Sequence, residues 1–332
     1  MSRLALALAL ALGATLTATA APDQIATDVG PARTVPPPFP SVRLKGLERF
    51  DTVELLEGGV LCGIRAGYAP ACATDPTEQA YAAPYEALDD VVGLQALGTA
   101  HCVLFGTGEL RCIDEPGKGP TIATPSTWPV LRRDVTAFRI SATSADARVF
   151  ALDRTRTLHV IHLAGDPTLS TTAVVAKGVT SFGWRDWSGA CAIVDGGDVL
   201  CSDPAHADDP LQPTAFHHAA KIFDGGAILR TDGSFTYVLD SWAPFAPWPA
   251  YGSDYNFQLG SVVTPQGSIE CANTLGPWVK VTLPAAATRL APGGYISCAA
   301  LVDGTTACYG PFLSQIERLA KRPRRSSRVL AR

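Results

Sequence analysis

Cysteine is the residue type in this chain whose spacing is most informative about chemistry. The 332 residues include nine cysteines, at positions 62, 72, 102, 112, 191, 201, 271, 298 and 308. Four pairs of them are separated by ten residues. Cysteines can bind zinc or form disulfides, but zinc sites typically use close CxxC pairs or clustered histidines, and neither accompanies these pairs. The spacing therefore favours disulfides.

Three of the ten-residue segments also share a glycine at one position. Gly108, Gly197 and Gly304 each lie six residues after the first cysteine of their pair. Such a glycine favours the tight turn of a β-hairpin, in which residues equidistant from the turn face each other at about 4.5–5.5 Å. That separation suits a disulfide. The predicted bridges are Cys102–Cys112, Cys191–Cys201 and Cys298–Cys308.

The remaining three cysteines fit this frame less well. Cys62 occupies a second position whose first position is Thr52, and Cys72 lies ten residues further on, off the frame; whether these two cysteines pair is left open. Cys271 has no partner, because Ser261 fills the opposite position. An odd number of cysteines leaves at least one thiol without a partner in the chain.

The same frame recurs in segments that lack a cysteine pair. Further units begin at Thr52, Val149, Ala227 and Ser261, with Thr155 at the glycine position of the unit that begins at Val149. The second positions of the seven units are 62, 112, 159, 201, 237, 271 and 308. Periods of about 35–50 residues are typical of propellers, arrays and solenoids. With 30 glycines and 26 prolines, the chain is predicted to be built from strands and turns rather than long helices.

The last unit carries a family resemblance. The segments Cys298–Gly304 and Cys308-Tyr309-Gly310 resemble the regulator of chromosome condensation repeat, as it occurs in exported bacterial chains with paired cysteines. The resemblance covers roughly residues 43–312 and implies an all-β fold, a seven-bladed β-propeller. It also implies that a strand from Ser41–Phe50 completes the last blade near residues 308–313. A two-sheet all-β fold is the alternative architecture.

The ends of the chain predict export. Residues 1–20 have the layout of a secretory signal, with a basic start, an apolar Leu/Ala run and a small-residue cleavage site; an uncleaved membrane anchor is the alternative. Residues 21–40 are a Pro-rich linker, residues 41–313 the propeller and residues 314–332 a basic tail. The mature chain is predicted to be secreted or periplasmic, without stable membrane insertion.

The net charge of −4 is the sum of two segments with opposite charge. Residues 22–317 hold 19 basic and 31 acidic residues, a formal charge of −12, whereas residues 318–332 hold seven basic residues and no acid. An acidic body argues against binding nucleic acid, which needs basic surface for phosphates. The tail is interpreted as solvated, although it could contact an anionic surface.

No set of residues predicts catalysis, a metal or a cofactor. The sequence contains no GxSxG, P-loop or HExxH motif. His159 and His162, three apart in a predicted strand, should point to opposite faces, and His101 is interpreted as structural. The acidic pairs Asp89-Asp90 and Asp208-Asp209 are interpreted as solvated loop residues. The aspartates at 195, 232 and 303 are predicted to shape turns.

The sequence favours a binding function. Residues 242–249 form an aromatic, Pro-rich loop, and Trp242, Phe245 and Trp248 are its candidate partner surface; core packing is the competing interpretation. The predicted function is an exported β-propeller module that presents rim loops to a protein or other macromolecule and catalyses nothing. One alternative is a propeller hydrolase or lyase acting on an extracellular polysaccharide, and another is a structural protein of the cell envelope. Members of the resembling family range from nucleotide-exchange factors to protein inhibitors of β-lactamase, so the fold does not choose among them.

Overall fold

The structure is a computed structural model, and it divides the chain into units Met1–Val35 and Pro36–Arg332. It describes residues 41–44, 52–55, 61–64, 69–73, 85–97, 100–114, 125–142, 147–163, 170–184, 189–203, 208–223, 226–238, 254–256, 261–273, 276–291 and 297–309. The predicted signal, linker and tail lie outside these residues.

Within the described residues the strands form seven sheets, numbered here in chain order. Sheet 1 contains β2 (Thr52–Leu55), β3 (Leu61–Ile64) and β4 (Ala71–Ala73). Sheet 2 contains β5 (Val91–Leu97), β6 (Ala100–Phe105), β7 (Leu110–Asp114) and β8 (Val130–Arg132). Sheet 3 contains β9 (Val135–Ala142), β10 (Ala147–Asp153), β11 (Leu158–Leu163) and β12 (Thr172–Ala176).

The second half of the chain continues the pattern. Sheet 4 contains β13 (Val179–Trp184), β14 (Ala190–Val194), β15 (Val199–Cys201) and β16 (Gln212–Pro213). Sheet 5 contains β17 (Ala219–Ile222), β18 (Ala227–Arg230) and β19 (Phe235–Tyr237). Sheet 6 contains β20 (Asp254–Asn256), β21 (Ser261–Val263), β22 (Ile269–Asn273) and β23 (Gly276–Val281). Sheet 7 contains β24 (Ala287–Ala291), β25 (Ser297–Leu301), β26 (Thr306–Tyr309) and β1 (Ser41–Leu44).

The predicted all-β propeller is confirmed, but the blade count is corrected. Five of the described sheets have four strands, so five complete blades are present rather than seven. Sheets 1 and 5 have three strands each, and the segments that follow their third strands lie outside the described residues. The repeat count predicted seven because it counts only the central hairpin of each unit, which sheets 1 and 5 share with the complete blades.

The first strands of the sheets lie closest to a common axis. β24 contacts β2, β2 contacts β5, and the series continues through β9 and β13 to β17; β20 likewise contacts β24. Strands of neighbouring blades approach each other most closely where the blades converge, so these contacts place each first strand on the inside. The fourth strands are then the outer strands of the blades.

A sheet that lies between two neighbouring sheets buries apolar side chains on both of its faces, as sheet 3 shows. In β10, Val149 and Ala151 pack against residues of sheet 2, whereas Phe150 packs against sheet 4. Because successive side chains of a strand point to opposite faces, one strand contributes to two neighbouring cores. This explains why the hairpin strands are apolar almost throughout, without the polar alternation of a half-solvated sheet.

The N-terminal strand closes the last blade, as the resemblance implied. β1 pairs antiparallel with β26, so that Ser41 lies opposite Tyr309 and Leu44 opposite Thr306. The Ser41 hydroxyl also donates a hydrogen bond to the Thr282 carbonyl at 2.5 Å. All four residues of β26 are buried, and β1 supplies the partner that the outer edge of this strand needs.

Four cysteine pairs lie directly opposite each other at disulfide distance. The pairs Cys102–Cys112, Cys191–Cys201 and Cys298–Cys308 have S–S distances between 2.01 and 2.10 Å. Cys62 and Cys72 form the fourth pair, on β3 and β4. The predicted unit from Thr52 to Cys62 is therefore wrong: the hairpin runs from Cys62 to Cys72, and Tyr68 stands where other units have glycine.

One further hairpin is shifted from its predicted register. Val149 was predicted to face His159, but Val149 lies opposite Ile161, and Phe150 lies opposite Val160. The ten-residue frame in sheet 3 therefore runs from Phe150 to Val160, one residue later than predicted. Arg156 rather than Thr155 then occupies the glycine position, and its φ of 64° is the left-handed conformation found at the equivalent glycines.

Candidate binding surface

In sheets 2 to 7, the turns that join the second and third strands lie on one side of the propeller, named the turn side. At four of these turns the residue in the glycine position accepts a main-chain hydrogen bond from the first residue of the following sheet. The N–H of Val135 donates to Gly108, that of Val179 to Arg156, that of Ala219 to Gly197 and that of Ala287 to Gly267, at 2.7–3.0 Å. These bonds join neighbouring sheets by backbone alone.

In sheet 4, two observations favour glycine at this position. Gly197 has a φ of 84°, which disfavours residues with a Cβ. A Cβ on Gly197 would also lie 3.2 Å from the main-chain nitrogen of Ala219 in the next sheet. The adjacent Gly196 has a φ of 94°, but its Cβ would meet nothing within 4 Å. The close approach of sheet 5 therefore occurs at Gly197, the glycine position, and not at the adjacent Gly196.

Arg156 replaces this glycine in sheet 3 and makes a side-chain contact with the next sheet. Its Nη2 donates to the Gly178 carbonyl at 2.7 Å, and its Nε donates to the Val179 carbonyl at 3.1 Å. The same guanidinium forms an ion pair with Asp195 in the turn of sheet 4. Arg156 thus connects sheets 3 and 4 through both its carbonyl and its side chain.

Two more arginines form side-chain hydrogen bonds on the turn side. Arg133, which follows β8, donates from Nη1 to Glu109 Oε2 at 2.8 Å. Arg154, in the turn of sheet 3, donates from Nη2 to the Thr107 carbonyl of sheet 2 at 3.2 Å. Its Nη1 lies 4.0 Å from Asp134 Oδ1. The guanidinium group of each arginine forms a hydrogen bond within the protein and is also exposed to solvent.

These side chains define a continuous charged patch, which we name the turn surface. It consists of Glu109, Arg133, Asp134, Arg154, Arg156 and Asp195. The side chains of Arg133, Asp134 and Asp195 are each 71% exposed, and that of Arg154 is 59% exposed. Exposed ion pairs of this kind contribute little to stability.

A buried carboxylate supports the turn surface from below. Asp153 Oδ1 accepts hydrogen bonds from the backbone and hydroxyl of Thr155 and from the backbone of Thr157. Its Oδ2 accepts from His159 Nε2 at 2.8 Å and from Arg132 Nη2 at 3.1 Å. Burial by itself would raise the pKa of Asp153, but the hydrogen bonds from Thr155, His159 and Thr157 outweigh it and hold the pKa well below its ordinary value. Asp153 therefore fixes the turn that carries Arg154 and Arg156.

The histidines singled out from the sequence are used in packing and in pairs with acids. His159 and His162 point to opposite faces of β11, as predicted, and His159 is buried. His162 Nε2 lies 2.5 Å from Asp208 Oδ1 on a more exposed part of the chain. Asp208, predicted to be merely solvated, is thus paired.

His101 has the structural position that the sequence suggested. Its Nδ1 lies 2.6 Å from the hydroxyl of Tyr85, and its ring lies beside Trp128. Burial lowers the pKa of His101 to about 4, against the opposing effect of the Asp114 charge. The ring is therefore neutral near pH 7 and packs as part of the core between sheets 1 and 2.

The predicted turn aspartates act as expected where their contacts are described. Asp232 Oδ1 accepts hydrogen bonds from the backbone and hydroxyl of Ser234. Asp303 Oδ1 makes the same two bonds with Thr305. Asp195 instead pairs with Arg156. The candidate partner residues Trp242, Phe245 and Trp248 lie outside the described residues, and so do not contribute to the turn surface as it is defined here.

The sequence did not reveal the turn surface, because its residues come from three different units. Arg133 and Asp134 lie in a connection between sheets, and Arg156 stands at a position where the frame predicts glycine. Arg156 leaves a usable signal: a large polar residue in place of a turn glycine. Among the described residues, no group of three or more side chains is placed to bind a metal ion. No helix in the described ranges is both long and apolar enough to cross a membrane.

Comparisons with known proteins identify the fold and no family. No model of a protein family matches the chain, and none of the curated proteins matches it in sequence. The β-propeller domain of Cps50 (Swd1) from Myceliophteria thermophila superimposes with a TM-score of 0.52 at 10% identity, over 81% of this chain and 99% of that domain. PorZ, a bacterial surface component of the type-IX secretion system of Porphyromonas gingivalis, superimposes with a TM-score of 0.50 at 13% identity, over 80% of this chain and 37% of PorZ.

The comparison that bears on the family resemblance is weaker. The structure of Kap60 bound to yeast RCC1 matches with a TM-score of 0.37 at 14% identity, over 76% of this chain and 66% of that one. A structural similarity at this level does not show that the chain belongs to that family. The chain is similar to β-propellers in general, and its likeness to the regulator of chromosome condensation repeat remains a resemblance of short motifs.

Proposed function

We propose that this chain is an exported β-propeller that binds a protein partner through its turn surface and catalyses nothing. The observation that carries the proposal is the turn surface itself, in which exposed arginines and acids from sheets 2, 3 and 4 form one patch. The seven central hairpins and the contact between β2 and β24 support a closed ring. The motif at Cys298–Gly304 supports a degenerate relative of the regulator of chromosome condensation repeat.

The chemistry of the patch suits a protein more than a small molecule. Arginine is enriched in protein interfaces, and interspersed charges fix the orientation of a partner. The arginines are already held by carbonyls and carboxylates, so less side-chain freedom is lost on binding. The inter-sheet backbone bonds and the paired cysteines keep the turns in fixed positions, which lowers the cost of binding further.

Export is supported by the cysteine pairs and by the apolar N-terminal run. Disulfides persist in oxidising compartments and are rare in the cytosol. Four pairs at disulfide distance fit a periplasmic or secreted protein. The signal over residues 1–20 remains a prediction; N-terminal sequencing of the protein recovered from the periplasm and medium should begin near Ala21.

The test is quantitative capture with matched variants. The mature chain is immobilised and exposed to periplasmic and culture-medium proteins, in parallel with an Arg133→Glu/Arg154→Glu variant and a Lys280→Glu control. Lys280 is exposed on β23, far along the chain from the turn surface. We expect one partner to be retained by the wild type and the control and lost from the double variant. Equal retention by all three, or turnover of an extracellular polysaccharide from a glycan panel, would contradict the proposal.

A further inference from the structure

Two arginines of the turn surface lie on either side of one turn. Arg133 donates a hydrogen bond from Nη1 to Glu109 Oε2 at 2.8 Å, and Arg154 donates from Nη2 to the Thr107 carbonyl at 3.2 Å. Gly108, between these two acceptors, has no side chain, and a Cβ on it would lie 3.4 Å from Arg154 Nη2. The two guanidinium groups are therefore neighbours, with bare backbone between them.

The backbone fixes the two arginines relative to each other. The N–H of Arg154 donates to the Asp134 carbonyl, and the N–H of Val135 donates to the Gly108 carbonyl, both at 2.9 Å. These bonds join the turns of sheets 2 and 3 to the connection that carries Arg133. Both turns and the connection between the two sheets are described in full. The arrangement therefore exists before a partner binds, which lowers the cost of ordering side chains.

Most of the donors on these guanidinium groups are not used within the described part of the chain. An arginine side chain has five N–H donors. Among the described residues, the side chain of Arg133 makes one hydrogen bond, to Glu109, and that of Arg154 makes one, to Thr107. The two arginine side chains are 71% and 59% exposed, respectively. Each arginine therefore retains the two donors that a bidentate bond to a carboxylate needs.

The acids beside these arginines do not fully neutralise them. Glu109 is 18% exposed and also pairs with Arg111, so its charge is shared between two arginines. Asp134 Oδ1 lies 4.0 Å from Arg154 Nη1, beyond hydrogen-bonding distance. The space between the two arginines of the turn is therefore positive, although residues 22–317 carry 19 basic and 31 acidic side chains, a formal charge of −12.

Exposed acids border this positive space on both sides. Asp89 and Asp90 are exposed ahead of β5, and the Asp90 carboxylate lies against Gly106 in the turn of sheet 2. On the other side, Asp195 in the turn of sheet 4 is 71% exposed. A nucleic acid carries a charge on every phosphate and would meet these acids, whereas a short acidic segment of a protein would not. The charge pattern therefore favours carboxylates over a phosphate backbone.

We propose that Arg133 and Arg154 bind a short acidic segment of the protein partner, with one carboxylate against each guanidinium group and the bare backbone of Gly108 beneath. This inference rests on the proposed binding function and names the partner chemistry that one part of the turn surface recognises. Arginine suits this role because its planar fork matches the two oxygens of a carboxylate. Opposite charges also speed the encounter of two proteins, so association should weaken as salt is added.

The experiment uses a defined acidic peptide and the full mature chain. An acetylated, amidated Gly-Ser-Glu-Gly-Glu-Ser-Gly peptide is titrated into ¹⁵N-labelled protein, and signals are recorded for the Gly108 amide and the Nε–H groups of Arg133 and Arg154. We expect saturable shifts of all three signals, and an affinity that falls by about tenfold when salt is raised from about 20 to about 200 mM. The same peptide with glutamine in place of both glutamates is the matched control and should produce no saturable shift.

Two double variants separate the charge of the arginines from their geometry. Arg133→Gln/Arg154→Gln removes both charges and should reduce the affinity for the acidic peptide by about tenfold or more. Arg133→Lys/Arg154→Lys keeps both charges but loses the planar fork, and should reduce the affinity less. Lys280→Gln/Arg289→Gln removes two exposed charges from sheets 6 and 7 and should bind the peptide as the wild type does.

Four results would overturn the proposal. The first is the absence of saturable shifts with the acidic peptide, and the second is equal affinity for the glutamine peptide. The third is an unchanged affinity in the Arg133→Gln/Arg154→Gln variant. The fourth is tighter binding of a short oligothymidylate than of the acidic peptide, which would assign the two arginines to the phosphates of a nucleic acid.

The two proposals about the turn surface fail in different ways. Capture of a partner that is lost from the Arg133→Glu/Arg154→Glu variant, but that the acidic peptide does not displace, would leave the turn-surface proposal standing and reject this inference. Saturable binding of the acidic peptide by a chain that captures no protein would support the carboxylate site and reject the proposed function.

Discussion

Asp153 shows how a single buried acid can organise an exposed surface. Its two oxygens accept five hydrogen bonds, and the residues that donate them set the turn from which Arg154 and Arg156 project. Bonds to a charged acceptor stabilise more than bonds between neutral groups. The surface arginines therefore depend on a residue that a partner would never touch.

Replacing Asp153 by asparagine should destabilise the protein by about 1.5–3 kcal/mol at pH 7. The asparagine side chain keeps one acceptor oxygen for Thr155 and Thr157. Its NH2 group, which can only donate, then faces Arg132 and His159, where the carboxylate oxygen accepted hydrogen bonds. Urea denaturation of the wild type and Asp153→Asn measures the difference directly. Equal free energies of unfolding would show that the buried network contributes nothing.

The same pair of proteins gives a pH test. The pKa of Asp153 in the folded state lies below its ordinary value of 3.8. A carboxylate with a lowered folded pKa contributes stability that is present above the unfolded pKa and lost as the pH falls towards the folded one. The stability gap between wild type and Asp153→Asn should therefore stay constant from pH 7 to about 5 and narrow below that. A gap that widens on acidification would contradict the assigned direction.

Cys271 marks a hairpin in which only the first-position cysteine is absent. It lies directly opposite Ser261, in the register of the paired cysteines, with 3.0 Å between Oγ and Sγ. Burial raises the pKa of the Cys271 thiol to about 12, against the effect of the hydrogen bond with Ser261, so the thiol of the folded wild type should resist alkylation at pH 8.

Ser261→Cys should form a fifth disulfide and stabilise the oxidised protein by about 2–3 kcal/mol. Intact mass before and after reduction, with denaturation of both forms, measures the bridge and its effect. Ser261→Ala is the matched control, since it removes the hydroxyl but cannot form a bridge. Two free thiols in the oxidised Ser261→Cys protein would show that the register of β21 and β22 is wrong.

At the scale of the element, the β-hairpin was the unit that the sequence could predict. Its signal is local, because a turn glycine and two residues ten apart are enough to define it. The prediction failed where the turn glycine is replaced: Arg156 shifted the frame by one residue, and Tyr68 hid the hairpin from Cys62 to Cys72. Outer strands such as β16, with two residues, carry too little pattern to be recognised.

Alanine substitutions at the adjacent glycines Gly196 and Gly197 distinguish two effects in the turn of sheet 4. One is the cost of a left-handed residue with a Cβ, and the other is contact of that Cβ with sheet 5. Gly196→Ala should cost about 1–2 kcal/mol, the penalty for a left-handed residue with a Cβ. Gly197→Ala has the same penalty and also brings a Cβ against Ala219 in sheet 5, so it should cost at least about 1 kcal/mol more. Thermal or urea denaturation of both variants measures the difference. Equal costs would mean that sheets 4 and 5 are not held together at this turn.

At the scale of the whole molecule, the repeat period predicted a propeller, an array or a solenoid. The family resemblance implied the propeller among them, and five complete blades are present. The turn surface could not be predicted, because its charges come from sheets 2, 3 and 4 and only the fold brings them together. The closure by β1 was predicted from the family resemblance rather than from any signal within Ser41–Leu44. Long-range assembly of this kind leaves no local pattern in the sequence.

Removing β1 should weaken the propeller as a unit. A chain that begins at Lys45 loses the strand that pairs with β26, whereas a chain that begins at Ser41 retains it. We expect the shorter chain to lose about 2–4 kcal/mol, in line with the loss of several backbone hydrogen bonds. The free energies of unfolding of the two chains measure the contribution of β1. Identical values would show that the fold does not need this strand.

The central claim is that a partner binds the turn surface. Hydrogen–deuterium exchange of the mature chain, with and without its captured partner, tests this claim most directly because it maps contact along the whole sequence. We expect slower exchange in the segments 105–109, 132–134, 153–157 and 194–198, and loss of that protection in the Arg133→Glu/Arg154→Glu variant. Protection confined to other segments, with these four unchanged in the presence of a saturating partner, would contradict it.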